Sequence, residues 1–364
     1  RLRDFTWKQN NSTNVHRFLT EQLPVFYRYH KSIFALRSGY YPATHPSRPY
    51  YVMIDEAGSY VQTIEDGHQD HPFSRLVDMR EPRDGGHEAI FFFVVPEANG
   101  DKMKTIMTNC YNLRRTEKRE DPESLTFVGG VLNIDTQTLK GLANARSNEI
   151  ADSGLVDVFA TSYFLEGALL FKPNHKGRAF TILQHPVLRA GNLYHSRDSS
   201  LKWVHISQYL ESPNYIDNWV VRSLTNDKTG ELTESHLLVA KGILARKFFL
   251  GIAEHFEETI KRLEIYYEWE PSSEGCVKEY LNNQHVQEEE ISHTIEHGSS
   301  DWNLVAAKDK YDLMLYYYAL ELFVKQGSTM FNRPYVDKTG RPIDFAELKR
   351  KERLKNKLLG LIGN

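Results

Sequence analysis

Between Pro96 and Lys102 the chain places Glu97, Asn99, Gly100, Asp101 and Lys102 in a turn whose surroundings suit anion chemistry. An apolar run, Ile90 to Val95, precedes the turn, and Met103, Ile106 and Met107 follow it at helical spacing. A strand, a tight turn and a helix in that order aim backbone N–H groups and the positive end of a helix dipole at whatever occupies the turn, normally an anion. Glu97 and Asp101 would repel one. Lys102 and Lys104 lie in the loop and the first helical turn and offer cations from another direction. The plainer readings are two solvated lysines at a helix start, or partners for Glu97 and Asp101 that seal the loop electrostatically.

Two histidine groups have spacings known from metal sites. His293-Thr294-Ile295-Glu296-His297 matches the string of inverted zinc proteases, in which two His at i, i+4 chelate zinc and the Glu activates water. A third ligand on a downstream helix would be required, and Glu321 is one of few candidates. The string sits between the acidic run ending at Glu290 and Gly298-Ser299-Ser300, and chance occurrence is the reading adopted. His68 and His71, in GHQDHP, form a second pair, read as surface histidines in a loop. No metal is expected.

Composition sets wider bounds. With 364 residues and 40% hydrophobic content, the chain can bury a large core, as one α/β domain or as a domain with appendages. A formal net charge of −3 gives no global steering toward nucleic acid or anionic membrane, so no nucleic-acid partner is expected. The 20 Tyr and 19 Phe are read as core and ordinary surface rather than as a binding face. Cys110 and Cys276 cannot make a disulfide framework, and either one bridge or two free thiols fits the sequence. No apolar run approaches the ~18 residues that span a bilayer. The first residue is Arg1 rather than Met, which leaves room for a leader or anchor ahead of it. Asn10-Asn11-Ser12-Thr13 holds two overlapping glycosylation sequons, a weak pointer to a secretory compartment.

The elements that must position the turn follow from periodicity. Val15 to Leu36, interrupted by Pro24, reads as a helical lead-in, and a Pro/Tyr loop follows it. Tyr51–Ile54 and Ile90–Val95 read as strands, with a Gly-rich segment between them. The charge run from Arg114 to Glu123 is expected to end the helix after Gly100 as a solvated tail and loop. Val131–Ile134 and Ala179–Leu183 are short apolar strand candidates, the latter stopped by His185-Pro186 and followed by a helix over Leu188–Tyr194. Leu237–Leu244 looks amphipathic, Phe248–Ile252 strand-like, and Phe256–Trp269 helical, with glutamates in its first turn. Asp312–Gln326 is a strong helix. Strands alternating with helices indicate an α/β domain with a mainly parallel sheet, whose ligands bind beyond the carboxyl ends of the strands. The turns after Val95 and Leu183 are therefore the expected site. Residues 1–87 are assigned to an N-terminal extension packed on a main domain over 88–330. Residues 331–364 form a basic amphipathic tail suited to packing on the domain, on a partner helix or on an anionic surface.

The run from Pro96 to Cys110, together with NIDTQTLKGLANA, GRAFTILQHPVLRAGNLYHS, NWVVRSLTN and YDLMLYYYALELF, resembles sulfotransferases that use phosphoadenosine phosphosulfate (PAPS). The resemblance is particularly to carbohydrate-sulfotransferase-like proteins of microalgae, and it covers roughly residues 88–325. It implies a P-loop-like sulfotransferase fold, a mainly parallel sheet flanked by helices, with helical N- and C-terminal extensions. It also implies a secretory-pathway, Golgi-lumen or cell-surface location, with another organelle as the alternative.

The family's first loop reads Pro-Lys-x-Gly-Gly-Thr/Ser-Thr, in which the Lys, glycines and hydroxyls cradle the phosphosulfate. Here Pro96 and Gly100 match, Glu97 stands in the Lys position, Asn99 replaces the first Gly, and Asp101 and Lys102 take the hydroxyl positions. The family's second element uses an Arg and a Ser for the other phosphate. Here Gln184 and Asn192 stand in those places, while Arg189 is retained as a residue that orients its helix. The general base of the family falls in DVFATSYFLEG, where this chain offers Tyr163 and Glu166. Tyr163 is expected to pack in the core, and Glu166 to be solvated or ion-paired. Asn218, Trp219 and Arg222 keep the family's Asn-Trp-x-x-Arg pattern, read as a fold-stabilising network with Asn218 and Arg222 on one helix face.

Two unit charges about 4 Å apart interact by ~4 kcal/mol at an effective dielectric near 20, so Lys to Glu reverses an attraction of that order. Losing the Arg removes a charge-assisted bond worth roughly 1.5–3 kcal/mol. The expectation is a non-catalytic sulfotransferase-like protein with no cofactor, acting as a binding or scaffold component with protein partners or within a larger assembly. A glycan partner is also compatible, and membrane contact would come only through a partner, an anchor outside this numbering or the C-terminal tail. The alternative is an active carbohydrate sulfotransferase that binds PAPS through Lys102, Lys104 and Arg189.

Overall fold

The structure, a computed structural model, describes residues 35–36, 50–54, 60–63, 72–79, 81, 88–118, 125–196, 205–273, 275–282 and 295–331. The sequons at 10–13, the pair His68/His71, His293 and the C-terminal tail lie outside the described residues, as does most of the N-terminal lead-in.

Strands β1 (Ala35–Leu36), β2 (Tyr50–Ile54) and β3 (Tyr60–Thr63) form an antiparallel sheet, with Ala35 opposite Tyr51 and Tyr51 opposite Thr63. Ala35 and Leu36, expected to end a helix, are thus in a strand. The main chain of elements begins with β4 (Ile90–Phe93), α1 (Gly100–Tyr111), β5 (Arg115–Glu117), β6 (Phe127–Val128) and β7 (Val131–Asn133). It continues through α2 (Leu139–Ser147), β8 (Val158–Thr161), α3 (Phe164–Ala168), β9 (Arg178–Leu183), α4 (Pro186–Ser196), α5 (Ile206–Leu210) and α6 (Trp219–Thr225). It closes with α7 (Glu234–Lys247), β10 (Phe248–Ile252), α8 (Phe256–Tyr267), α9 (Cys276–Asn282), α10 (Ser300–Lys308) and α11 (Lys310–Phe331).

Seven strands make one mostly parallel sheet in the order β10-β9-β4-β8-β5-β7-β6, flanked by helices. β4 pairs in parallel with β8, setting Ile90 against Val158 and Phe93 against Thr161. β5 pairs in parallel with β7 and β8, whereas the edge strand β6 runs antiparallel to β7. Every residue of β4, β8, β9 and β10 is buried. Burial on both faces is why β4, β9 and β10 read as continuous apolar runs rather than alternating ones, whereas β8 was not read as a strand from the sequence.

β5 departs from the sequence reading. The charge run does not trail α1 as a solvated tail. α1 ends at Tyr111, Asn112 turns left-handed (φ 54°) as its cap, and Arg115-Thr116-Glu117 enters the sheet. Arg115 is buried against Glu117 at 2.9 Å, and the Thr116 hydroxyl meets that of Thr136, which donates to the Ala160 carbonyl. Polar groups satisfied within the fold take the place of an apolar pattern here, so periodicity gave no signal. α7 is buried on most of its surface, from Ser235 through Leu244, rather than amphipathic.

Two compact units interleave along the chain: residues 1–93, 114–180 and 220–248 in the first, and 94–113, 181–219 and 249–364 in the second. The first is packed by aromatics. Phe92 stacks on Phe180 with ring centroids 4.4 Å apart, and Phe164 touches Phe73, Phe91, Phe93 and Phe248. The phenylalanines of this run are therefore core, as composition suggested. The second unit contains a disulfide, Cys110–Cys276, with Cα atoms 5.6 Å apart, which settles the choice between bridge and thiols. Among the described residues, no helix is long and apolar enough to cross a membrane.

Candidate functional site: three turns of the second unit

The turn after β4 has the expected frame. Ala98 donates its N–H to the Val95 carbonyl at 3.2 Å, and Asn99 accepts from the Met103 N–H at 3.0 Å to start α1. Glu97 and Asn99 both adopt the left-handed region, with φ 62° and 60°. Asn tolerates that conformation, and Glu carries a cost of order 1 kcal/mol. Gly100 is required for a different reason: a Cβ there would lie 2.6 Å from Val94 Cγ1. Gly100→Ala is expected to lower stability by about 1–3 kcal/mol in urea unfolding, because the buried Val94 must shift to admit the methyl group.

The cations of this turn are directed inward. Asp101, almost fully exposed, holds the Lys104 ammonium at 2.5 Å, so one of the pairings expected from sequence forms. The Lys102 ammonium stands 5.1 Å from the centre of the Phe256 ring, a cation–π arrangement. Glu97 is exposed.

The second turn, between β9 and α4, carries Gln184 and His185. Pro186 opens α4, where a missing N–H costs nothing, and the His185 ring nitrogen Nδ1 accepts from the Val187 N–H at 3.3 Å. Gln184 and Asn192 bind each other: Asn192 Nδ2 donates to Gln184 Oε1 at 3.4 Å.

A third turn, Ala253–His255, links β10 to α8, and sequence reasoning had not singled it out. The Glu254 carboxylate accepts from the His185 backbone N–H at 2.7 Å and from the Tyr316 hydroxyl at 3.0 Å. These bonds tie the turn after β9 to the turn after β10. The Lys102–Phe256 contact ties the turn after β4 to the start of α8. The three turns thus form one connected edge of the second unit. Phe248–Ile252 followed by a helix at Phe256 is a third strand–turn–helix signature, and it could have marked Glu254.

His185 adds no charge to this edge. Its ring stacks on Trp302 at 5.0 Å and meets Tyr316 edge-on at 5.3 Å. Burial, reinforced by His297, pushes its pKa down to about 4, so the imidazole is neutral at physiological pH. His297 packs against the same Trp302 at 4.4 Å. Among the described residues, no group of three His, Cys, Asp or Glu is placed to hold a metal.

Arg189 turns away from the edge. Only 1% exposed, its guanidinium lies 3.7 Å from Asp309 and 3.5 Å from Asp312, both buried. Asp309 also accepts from the Tyr215 hydroxyl at 2.5 Å and the Asn218 backbone N–H at 2.8 Å. Burial is the main influence on the Asp309 carboxyl and raises its pKa, against the opposing pull of Arg189. Asn218 caps α11, its Oδ1 accepting from the N–H groups of Tyr311 and Asp312 at 2.7 and 3.0 Å. Asn218 therefore serves the fold, as expected, but it shares no helix face with Arg222. It precedes α6 with φ 48°, whereas Arg222, in the first unit, donates to the carbonyls of Asp227 and Gly230.

No protein-family model matches this chain, and no curated protein matches it. The likeness to sulfotransferases therefore rests on the motifs themselves.

Tyr163 and Glu166 belong to the first unit, in the turn after β8 and the first turn of α3. Tyr163 is half-buried rather than core. Its N–H donates to Thr161 Oγ1 at 3.2 Å and its ring faces the Lys228 ammonium at 5.9 Å. Glu166 is also half-buried, and its Oε1 is shielded from solvent with no hydrogen-bond partner among the described residues, so that oxygen departs from the solvated or ion-paired state expected.

Proposed function

We propose that this chain is a sulfotransferase-like protein that neither binds PAPS nor transfers sulfate, and that it acts as a binding or scaffold component, a pseudoenzyme. Its P-loop-like frame is read from β4, the left-handed turn and α1. The observation carrying the reading is the placement of Arg189: the one arginine retained from the second phosphate element is buried between Asp309 and Asp312. Lys104 is engaged by Asp101, Lys102 lies over Phe256, and Gln184 and Asn192 bond to each other. An active sulfotransferase working through Lys102, Lys104 and Arg189 would have to draw each from these positions. For Arg189 alone, stranding two buried carboxylates costs about 3–5 kcal/mol.

The Cys110–Cys276 bond fits an oxidising compartment, in keeping with a secretory or cell-surface location. Protein partners fit this reading best, with a glycan as the alternative ligand.

Calorimetric titration with adenosine 3′,5′-bisphosphate and with PAPS tests the proposal, alongside sulfate transfer to a glycan panel. We expect no heat of binding, no thermal shift and no transfer. A low-micromolar affinity would overturn the reading, because ligand at 100 times Kd stabilises its target by ~2.7 kcal/mol and cannot be missed.

A further inference from the structure

Cys110 and Cys276 occupy different environments. Cys110 sits in the last full turn of α1 and is 0% exposed. Cys276 begins α9 and is half-buried, and α9 buries none of its residues. Among the described residues, the Ser272 N–H donates to the Cys110 carbonyl at 2.6 Å and Asn109 Nδ2 donates to the Tyr280 hydroxyl at 2.7 Å, which adds to the disulfide's hold on α1. A longer Ser272–Asn109 bond of 3.5 Å adds little. Just before it, Trp269 is firmly packed between Tyr111 and Tyr267. The covalent bond thus holds down a helix that has no apolar face of its own in the core.

We propose that the disulfide is a reducible latch, opened by thiol attack at Cys276, which decides whether α9 stays docked on α1. An attacking thiolate can reach the Cys276 sulfur but not the enclosed Cys110 sulfur. Attack breaks the Cys110–Cys276 bond, forms a mixed disulfide on Cys276, and expels Cys110 as a thiolate that takes up a proton. The second thiol of a dithiol reductant then displaces Cys276 as a thiol and leaves as the cyclic disulfide. Two electrons and two protons pass from the dithiol to the two cysteines. A dithiol completes the reduction by closing its own ring, whereas attack by a monothiol stops at the mixed disulfide on Cys276. With the bond open, the hydrogen bonds of Ser272 and Tyr280 are what the described contacts leave to hold the segment, and Trp269 marks the hinge.

Lys278 makes this measurable. It is exposed, and it is the sole Lys or Arg between Arg262 and Lys308, so trypsin reports on this segment at a single bond. Cleavage after Lys278 is expected to accelerate at least tenfold when the folded protein is treated with dithiothreitol. Exchange of the β4 and β10 amides should stay as slow as in the oxidised protein. Cys276→Ser should show the same fast cleavage without reductant, and brief exposure to glutathione should place the adduct on Cys276. Unchanged cleavage at Lys278, an adduct on Cys110, or loss of β4 and β10 protection together with the segment would each overturn the latch.

Discussion

Replacing Arg189 with Met is expected to cost about 3–5 kcal/mol of stability at pH 7–8, read from urea unfolding followed by circular dichroism. The side chains are similar in length, so little of this loss comes from packing. It comes from Asp309 and Asp312, which are buried and would lose the Arg189 guanidinium beside both of them. The pH dependence identifies the cause. Asp309 already has a raised pKa, because burial outweighs the help of Arg189, and removing the guanidinium raises it further. A carboxyl whose folded pKa lies above its unfolded value favours the folded state below the unfolded pKa, and that contribution is lost as pH rises through the folded pKa. The penalty of Arg189→Met relative to wild type should therefore be largest at pH 8 and shrink as pH falls into the ordinary carboxylate range, where the folded state holds the Asp309 proton with or without the guanidinium. Asp309→Asn is the contrasting case. It keeps the shape and leaves one carboxylate for one guanidinium, so it should cost less than half as much. If the two variants were equally damaging at every pH, the network would be a matter of packing rather than charge. The reading of Arg189 as a structural ion would then fail with it.

How much of this was legible in the sequence depended on whether burial or polar pairing drives each element. β4, β9 and β10 are buried on both faces, and their apolar runs announce them. The turn at Glu97–Gly100 was legible because a tight approach to Val94 and two left-handed residues restrict what can stand there. β5 was hidden because Arg115 is buried as an ion pair with Glu117 and the Thr116 hydroxyl meets that of Thr136, contacts that leave no periodic trace. The site was legible as two turns but not as three. Glu254 is joined to His185 across 69 residues and to Tyr316 across 62, and no local pattern encodes such a pairing. The destination of Arg189 was hidden for the same reason: Asp309 and Asp312 look like ordinary helix-start acids until the chain brings them to it. Asn218 shows the opposite failure. An i, i+4 spacing suggested a shared face, yet the residue departs from the helix into the left-handed region and spends its side chain capping α11.

The double variant Glu97→Lys, Gln184→Arg is expected to gain affinity for adenosine 3′,5′-bisphosphate of about 30- to 1,000-fold over wild type, equivalent to roughly 2–4 kcal/mol. Glu97 is exposed, so the full ~4 kcal/mol of a close charge reversal must be discounted for solvent screening. Each residue supplies part of the remainder. Lys at 97 keeps the left-handed backbone that Glu already adopts, and it exchanges a repelling carboxylate for an attracting ammonium. Arg at 184 gives up only the long 3.4 Å bond to Asn192 and gains a fork of donors suited to a phosphate. Gly100, His185 and Arg189 are untouched, so the frame and the buried ion network persist. Glu97→Ala, Gln184→Ala separates the two contributions: it removes the repulsion without adding a cation and should recover only a small part of the gain. Titration at two salt concentrations adds a second check, because affinity won through charge must weaken as ionic strength rises. No gain in the double variant, with the protein folded, would mean that the turn after β4 and the turn after β9 do not face a common ligand. The anion-binding frame would then be a likeness of local shape alone, and the proposed sulfotransferase-like reading would lose its chemical support.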